Sequence, residues 1–95
     1  MSIKSFNCRD TKKIWNRKPV KTFSVNMQKI ARRKLILINV AEKLDDLRIP
    51  PNNQLKKYCG KKKLTKWSIR INDQWRICFY FENGDAKEVE IVDYH

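Results

Sequence analysis

The segment EIVDYH holds His95, the only histidine among 95 residues. With a reference pKa of about 6.5, a histidine is the side chain best matched to moving protons near neutral pH. Other residues of the chain supply fixed positive charge: Arg76 in WRICFYF, Arg70 in WSIRI, and Lys56, Lys57, Lys61, Lys62 and Lys63 in KKYCGKKK. One chemistry needs little more than this. In RNA the 2′-hydroxyl beside the scissile phosphate is a positioned internal nucleophile, so no external nucleophile is required. The protein then needs a base for that hydroxyl, an acid for the departing 5′-oxygen, and cations for the charge gathering on phosphorus.

Each candidate also has a plainer structural reading. A histidine at a chain end often frays, and Tyr94 serves equally as a packed aromatic cap. Arg76 alternates with Ile77, so it faces away from the core, where it could meet a phosphate or pair with Glu88 or Glu90 on the next strand. The six lysines from Lys56 to Lys66, without one acid among them, read as a phosphate-binding loop more readily than as a solvated one. Cys78 shares the face of Arg76 and reads as a small buried hydrophobe.

Other chemistries find less support. No phosphate-cradling glycine loop is present, and no serine, histidine and acid set is evident. A two-metal nuclease would have to draw on Asp85, Glu88, Glu90 and Asp93, with Glu88 and Glu90 on one strand face. Cys8, Cys59 and Cys78 lack the paired spacing of a zinc site, so neither a metal nor any other cofactor is expected. The odd thiol count and the lack of a secretory signal or long apolar run fit the cytoplasm and no membrane. Twenty-two Lys and Arg against 10 Asp and Glu give a net charge of +12. That excess repels itself and calls for a polyanionic partner.

Ninety-five residues suit one domain, 1–95, because so short a chain cannot divide its core. SIKSF alternates as a short strand, and Asp10 is placed to cap a brief helix over TKKIWNR. From Val25 to Leu44 apolar residues recur at helical spacing opposite Lys29, Arg32 and Arg33. The run Leu35 to Ile38 is apolar most of the way round, as for a helix buried between sheet and first helix, or covered on its second side by a partner. Prolines and asparagines in DDLRIPPNN end that helix. KWSIRIN and WRICFYF then alternate as strands, with Trp67 and Trp75 toward the core. Asn83-Gly84 suits a tight hairpin into AKEVEIVDYH. The order is α+β: β-α-α-β-β-β.

WSIRINDQWRICF followed by GDAKEVEIVDYH, with IKSF, ARRKL and DDLRIPPNN upstream, resembles the HigB toxins of the RelE/ParE superfamily across nearly the whole chain. The resemblance implies a RelE-like, microbial-RNase-type fold, with two N-terminal helices packed on a mostly antiparallel sheet. It implies a metal-independent endoribonuclease that cuts mRNA in the ribosomal A site and inhibits translation. A helix-turn-helix antitoxin of the HigA type would be the partner, and operator DNA would be met only through it. By the same analogy Asp93, Tyr94 and His95 stand in the family's DYH terminus and Arg76 in its WRI segment, as catalytic residues. Many HigB toxins carry a histidine, and a lysine three residues later, in a loop like LHPLKG. Here LKKYCG puts Lys56 and Cys59 at those positions, leaving His95 as the one imidazole. The rival functions are a non-catalytic, basic ribosome-binding inhibitor and a ParE-like gyrase poison.

Overall fold

The structure is a computed structural model that describes residues 1–58 and 66–93. Helix α1 spans Arg9–Trp15 and helix α2 spans Val25–Val40. The first helix starts earlier than Asp10 suggests. Extended Cys8 is its N-cap, and Asp10, inside the first turn, accepts from Thr22 Oγ1 at 3.2 Å. A carboxylate there still faces the positive end of the helix. Ser24 caps α2 by accepting from the Met27 amide at 3.1 Å. Gln28, one turn further on, donates to the carbonyls of Val20 and Phe23 at 2.7 Å each and pins the interhelical loop.

Helix α2 stops at Val40, short of the expected Leu44, because the local alternative is better bonded. The Asp46 carboxylate accepts from the amides of Glu42 and Lys43 at 3.0 and 3.2 Å. That ties the chain into a 3-10 turn, Leu44–Arg48, followed by a second, Pro51–Asn53. Such side-chain acceptance competes directly with continued helix. Met27, Ala31, Leu35 and Ile38 form the buried stripe of α2, and Lys34 is buried with them.

The sheet has strands β1 (Lys56–Tyr58), β2 (Lys66–Arg70), β3 (Trp75–Glu82) and β4 (Asp85–Asp93), in that order and antiparallel throughout. Asn83 (φ 51°) and Gly84 (φ 79°) turn β3 into β4, the left-handed pair that a two-residue hairpin needs. Alternation puts Ile69, Ile77, Phe79, Val89 and Ile91 against the helices. Trp67 and Trp75 are half-buried against this core as the pattern suggests, Trp75 edge-on to Phe23. Thr11 Oγ1 accepts from the Ile91 amide at 3.1 Å and fixes α1 to β4.

Two expectations about the strands are also revised. SIKSF does not form a regular strand; Ile3 and Phe6 make isolated parallel bridges to Ala86 and Val89. Strand β4 carries a bulge, with Tyr80 opposite Lys87 but Cys78 opposite Glu90. Phe79 therefore faces two residues, Glu88 has φ 51°, and the alternation that would set Glu88 beside Glu90 is broken.

Candidate functional site

The sheet face turned away from the helices is itself substantially buried. Ser68 and Cys78 are fully buried, and Arg76 keeps only 4% of its surface exposed. On a central strand that is costly for a guanidinium unless its donors are used. Arg76 Nε donates to Ser68 Oγ at 3.0 Å, and Nη2 donates to the Gln54 carbonyl and, at 3.3 Å, to the Ser68 carbonyl.

Directly opposite Arg76 on β2 is Arg70. Like charges in cross-strand register repel, and no element has been interposed between them in the ladder. Arg70 is paired with Asp73 at the turn. Both arginines, with Lys56, Gln54, Asn72 and Asp73, line a polar pocket of about 320 Å³ at the end of the sheet. Among the described residues that line it, three cations face one carboxylate, which suits it to an anion.

The turn that closes this end is held by Asn72, whose side chain accepts from the amides of Gln74 and Trp75 at 2.9 Å each. Gln74 in turn donates to Asp93 Oδ2 at 3.1 Å. Asp93 lies opposite Trp75, one position beyond the residue opposite Arg76. The last described carboxylate of β4 is thus anchored to the loop that borders the pocket.

Of the residues expected to act, the structure gathers Lys56, Arg70 and Arg76 in one pocket with Asp93 beside its turn. Lys57 is exposed and pairs opposite Trp67, so it does not line the pocket. Lys61, Lys62, Lys63, Tyr94 and His95 lie outside the described residues, as does Cys59.

Further along the same face, Lys66 Nζ meets Glu90 Oε1 at 3.0 Å with both side chains largely buried. Asn7 donates to the other Glu90 oxygen at 3.2 Å, and the Lys66 ammonium sits 5.3 Å from the centre of the Tyr80 ring. Burial of Lys66 disfavours its charge, but the Glu90 carboxylate outweighs this and leaves the Lys66 pKa raised. Cys78 lies opposite Glu90. Burial pushes its thiol up to about 11, with Lys66 and Arg76 pulling the other way and Glu90 adding to the rise. It is a neutral packing group, as its alternation with core residues suggests. Among the described residues no three His, Cys, Asp or Glu side chains are grouped to hold a metal.

Residues 4–95 match the family model of the RelE-like toxin of type II toxin-antitoxin system HigB. The chain belongs to this family. Two relatives are informative. An uncharacterised protein of Haemophilus influenzae is 36% identical over 64 residues, covering 67% of this chain and 62% of the relative. Toxin HigB-1 of Vibrio cholerae is 42% identical over 55 residues, covering 57% of this chain and 56% of that toxin. The chain thus spans less than two thirds of the length of either relative.

In this HigB-like toxin chain the pocket depends on residues that do not announce themselves in the sequence. Gln54, left-handed at φ 45°, turns its carbonyl to Arg76, and a pattern of apolar spacing carries no sign of it. Asn53 is completely buried; it donates to the carbonyls of Leu47 and Ile49 at 3.1 and 3.4 Å and accepts from Lys34. Lys34 also reaches Asn52 at 3.4 Å. Burial first, then Arg33 and Arg70, lowers the Lys34 pKa. Ser68 did leave a signal, since its alternation with Ile69 puts it on the face of Arg76.

Proposed function

We propose that the chain is a ribosome-dependent endoribonuclease toxin that cleaves mRNA in the A site, and that the polar pocket receives the phosphate beside the scissile bond. The observation that carries this reading is the facing pair Arg70 and Arg76, joined by Lys56 in one pocket. Such a cluster favours an anion, and a phosphodiester is the anion that a chain of charge +12 would meet on a ribosome.

The chemistry follows from the substrate. The 2′-oxygen attacks the adjacent phosphorus as its proton passes to a base, the bond to the 5′-oxygen breaks, and an acid protonates that oxygen. The products are a 2′,3′-cyclic phosphate and a 5′-hydroxyl, with no metal needed as nucleophile or base. His95 is the proton carrier, Asp93 orients it, and Tyr94 stacks on or positions a nucleotide. Arg76, rigid in its hydrogen bonds to Ser68 and Gln54, stabilises charge on the phosphate without reorganising. Lys56 and Arg70 hold the backbone, and Lys57, Lys61, Lys62 and Lys63 add attraction to ribosomal RNA. A HigA-type, helix-turn-helix antitoxin neutralises the toxin in the cytoplasm and links it to operator DNA.

Mapping mRNA 5′ ends in a translating extract tests this. The chain should generate new ends within ribosome-bound codons, His95→Gln should abolish them, and Arg70→Ala should reduce them at least about tenfold. Translation arrest with no new ends would reassign the chain as an inhibitor acting by occupancy. Cleavage unchanged in His95→Gln would remove the proposed proton carrier.

A further inference from the structure

Asp73 stands in the polar pocket without a part in the chemistry above. Among the described residues that line the pocket it is the single acid, set against Lys56, Arg70 and Arg76. Its side chain is fully exposed, whereas Arg70, with which it is paired, keeps 30% of its side-chain surface. The cation is the embedded partner and the carboxylate is the free-standing one. An ion pair with one member wholly in water is weak and readily exchanged. With Arg76 opposite it on β3, Arg70 favours an anion beside it, and Asp73 supplies that anion from within the chain.

The turn itself does not depend on Asp73. Asn72 shapes it by accepting from the amides of Gln74 and Trp75, and Gln74 ties it to β4 through Asp93. A pair that stabilises the fold would be shielded from water, as Lys66 and Glu90 are, and Asp73 is not. What Asp73 does engage is the guanidinium fork of Arg70, and a fork that accepts carboxylate oxygens accepts phosphate oxygens equally. Carboxylate and phosphodiester are therefore rivals for one group.

We propose that Asp73 is a displaceable counter-anion that sets the selectivity of the pocket: its carboxylate occupies Arg70 while the pocket is empty and gives way to the phosphodiester of an RNA strand. The role rests on the reading above, in which this pocket receives the phosphate beside the scissile bond. Any entering anion must take Arg70 from Asp73 and then lie a few ångströms from the displaced carboxylate, a like charge. That penalty is the same for every anion, so it acts as a threshold. An isolated phosphate, weakly held, stays below it. A strand anchored at neighbouring phosphates by other lysines presents its phosphate at high effective concentration and fills the pocket. Asp73 thus reserves the site for RNA that is already held in place.

The test titrates the full chain into a fluorescent 2′-O-methyl RNA hexanucleotide at low salt and reads anisotropy, with thermal melts to confirm folding. The methylated probe lacks the 2′-hydroxyl nucleophile, so binding is read apart from cleavage. Asp73→Asn, which keeps a turn-forming side chain, should tighten binding about three- to tenfold. Asp45→Asn removes the same charge from the same i,i+3 pairing, with Arg48, outside the pocket, and should stay within about twofold. In an Arg70→Gln background the gain from Asp73→Asn should fall below about twofold. Unchanged affinity in Asp73→Asn would overturn the proposal, as would a gain that persists undiminished without Arg70, since Asp73 would then act through overall charge alone. Weaker binding in Asp73→Asn would overturn it as well, by making Asp73 a direct contact to the RNA. Tighter binding by Asp73→Asn in a chain that yields no new mRNA ends would uphold the role of Asp73 and remove the nuclease reading, and unaltered binding in a chain that cleaves would do the reverse.

Discussion

Removing the Asn53 side chain should cost more than its small size suggests. In Asn53→Ala the carbonyls of Leu47 and Ile49 lose their donor, and the Lys34 ammonium loses a buried acceptor. The two neutral hydrogen bonds are worth about 1 kcal/mol each, less for the longer, and the one to the charged lysine about 1.5–3 kcal/mol. A loss of roughly 3–4 kcal/mol follows, which in a domain of this size lowers the melting temperature by roughly 12–30 °C. Lys34→Met should cost less, about 1–2 kcal/mol, because it also removes an ammonium whose burial is unfavourable. Urea unfolding followed by tryptophan fluorescence reads both, and the double variant gives their coupling. Because the Lys34 pKa is lowered on folding, the unfolded chain binds the extra proton as pH approaches 10.5, so this group's contribution rises with pH there. Lys34→Met should lack that rise. A cost below about 1 kcal/mol for Asn53→Ala, or strict additivity with Lys34→Met, would refute the view of Asn53 as the anchor of Gln54 and the pocket.

Ser68→Ala should lower stability by about 1.5–3 kcal/mol through the hydrogen bond lost to Arg76, and Arg76→Lys should not preserve function, since an ammonium cannot reproduce the directed guanidinium contacts to Ser68 and Gln54; unfolding curves and cleavage assays read the two. The Cys78 thiol should resist a disulfide reagent at pH 8 until the chain unfolds, and its raised pKa of about 11 makes the unfolded state lose this proton first, so stability falls as pH rises from 9 toward 11. A mass spectrum showing Cys78 modified in the native state would refute its burial. Glu90→Gln should cost about 1–3 kcal/mol by removing the carboxylate charge that meets the largely buried Lys66. The raised Lys66 pKa means that the pair's contribution is intact below 10.5 and lost as pH climbs past it, so the variant should show a flatter alkaline limb in a pH series of melts.

The strand meander was legible because alternation in WSIRI and WRICFYF is a property of neighbours in sequence, and Asn83-Gly84 is a turn whatever surrounds it. The same alternation placed Ser68, Arg70, Arg76 and Cys78 on one face. Boundaries were less legible where a side chain chose between two local partners. Asp10 could cap a helix or sit in its first turn, and Asp46 ends α2 early by binding the amides of Glu42 and Lys43. Least legible were Asn53 and Gln54. Their roles exist only once α2, the 3-10 turns and β3 have come together, and nothing in PPNNQ distinguishes an anchor from a loop. SIKSF has the alternation of a strand, yet it forms only two bridges with β4.

Those two bridges constrain how the chain matures. The amides of Lys4 and Asn7 donate to Ala86 and Val89, while Ala86 and Val89 donate to Ser2 and Ser5, so the outer edge of β4 is occupied along its middle. A second copy cannot add a strand there, and among the described residues the opposite edge offers the three of β1, two of them lysines, a poor template for self-association. Residues 2–7 are therefore matched to residues 86–89, which lie far along the sequence. Closure of so long a loop comes late. Sealing of this edge therefore follows formation of α1 and α2, which gives any partner that binds the two helices a head start over the fully folded domain.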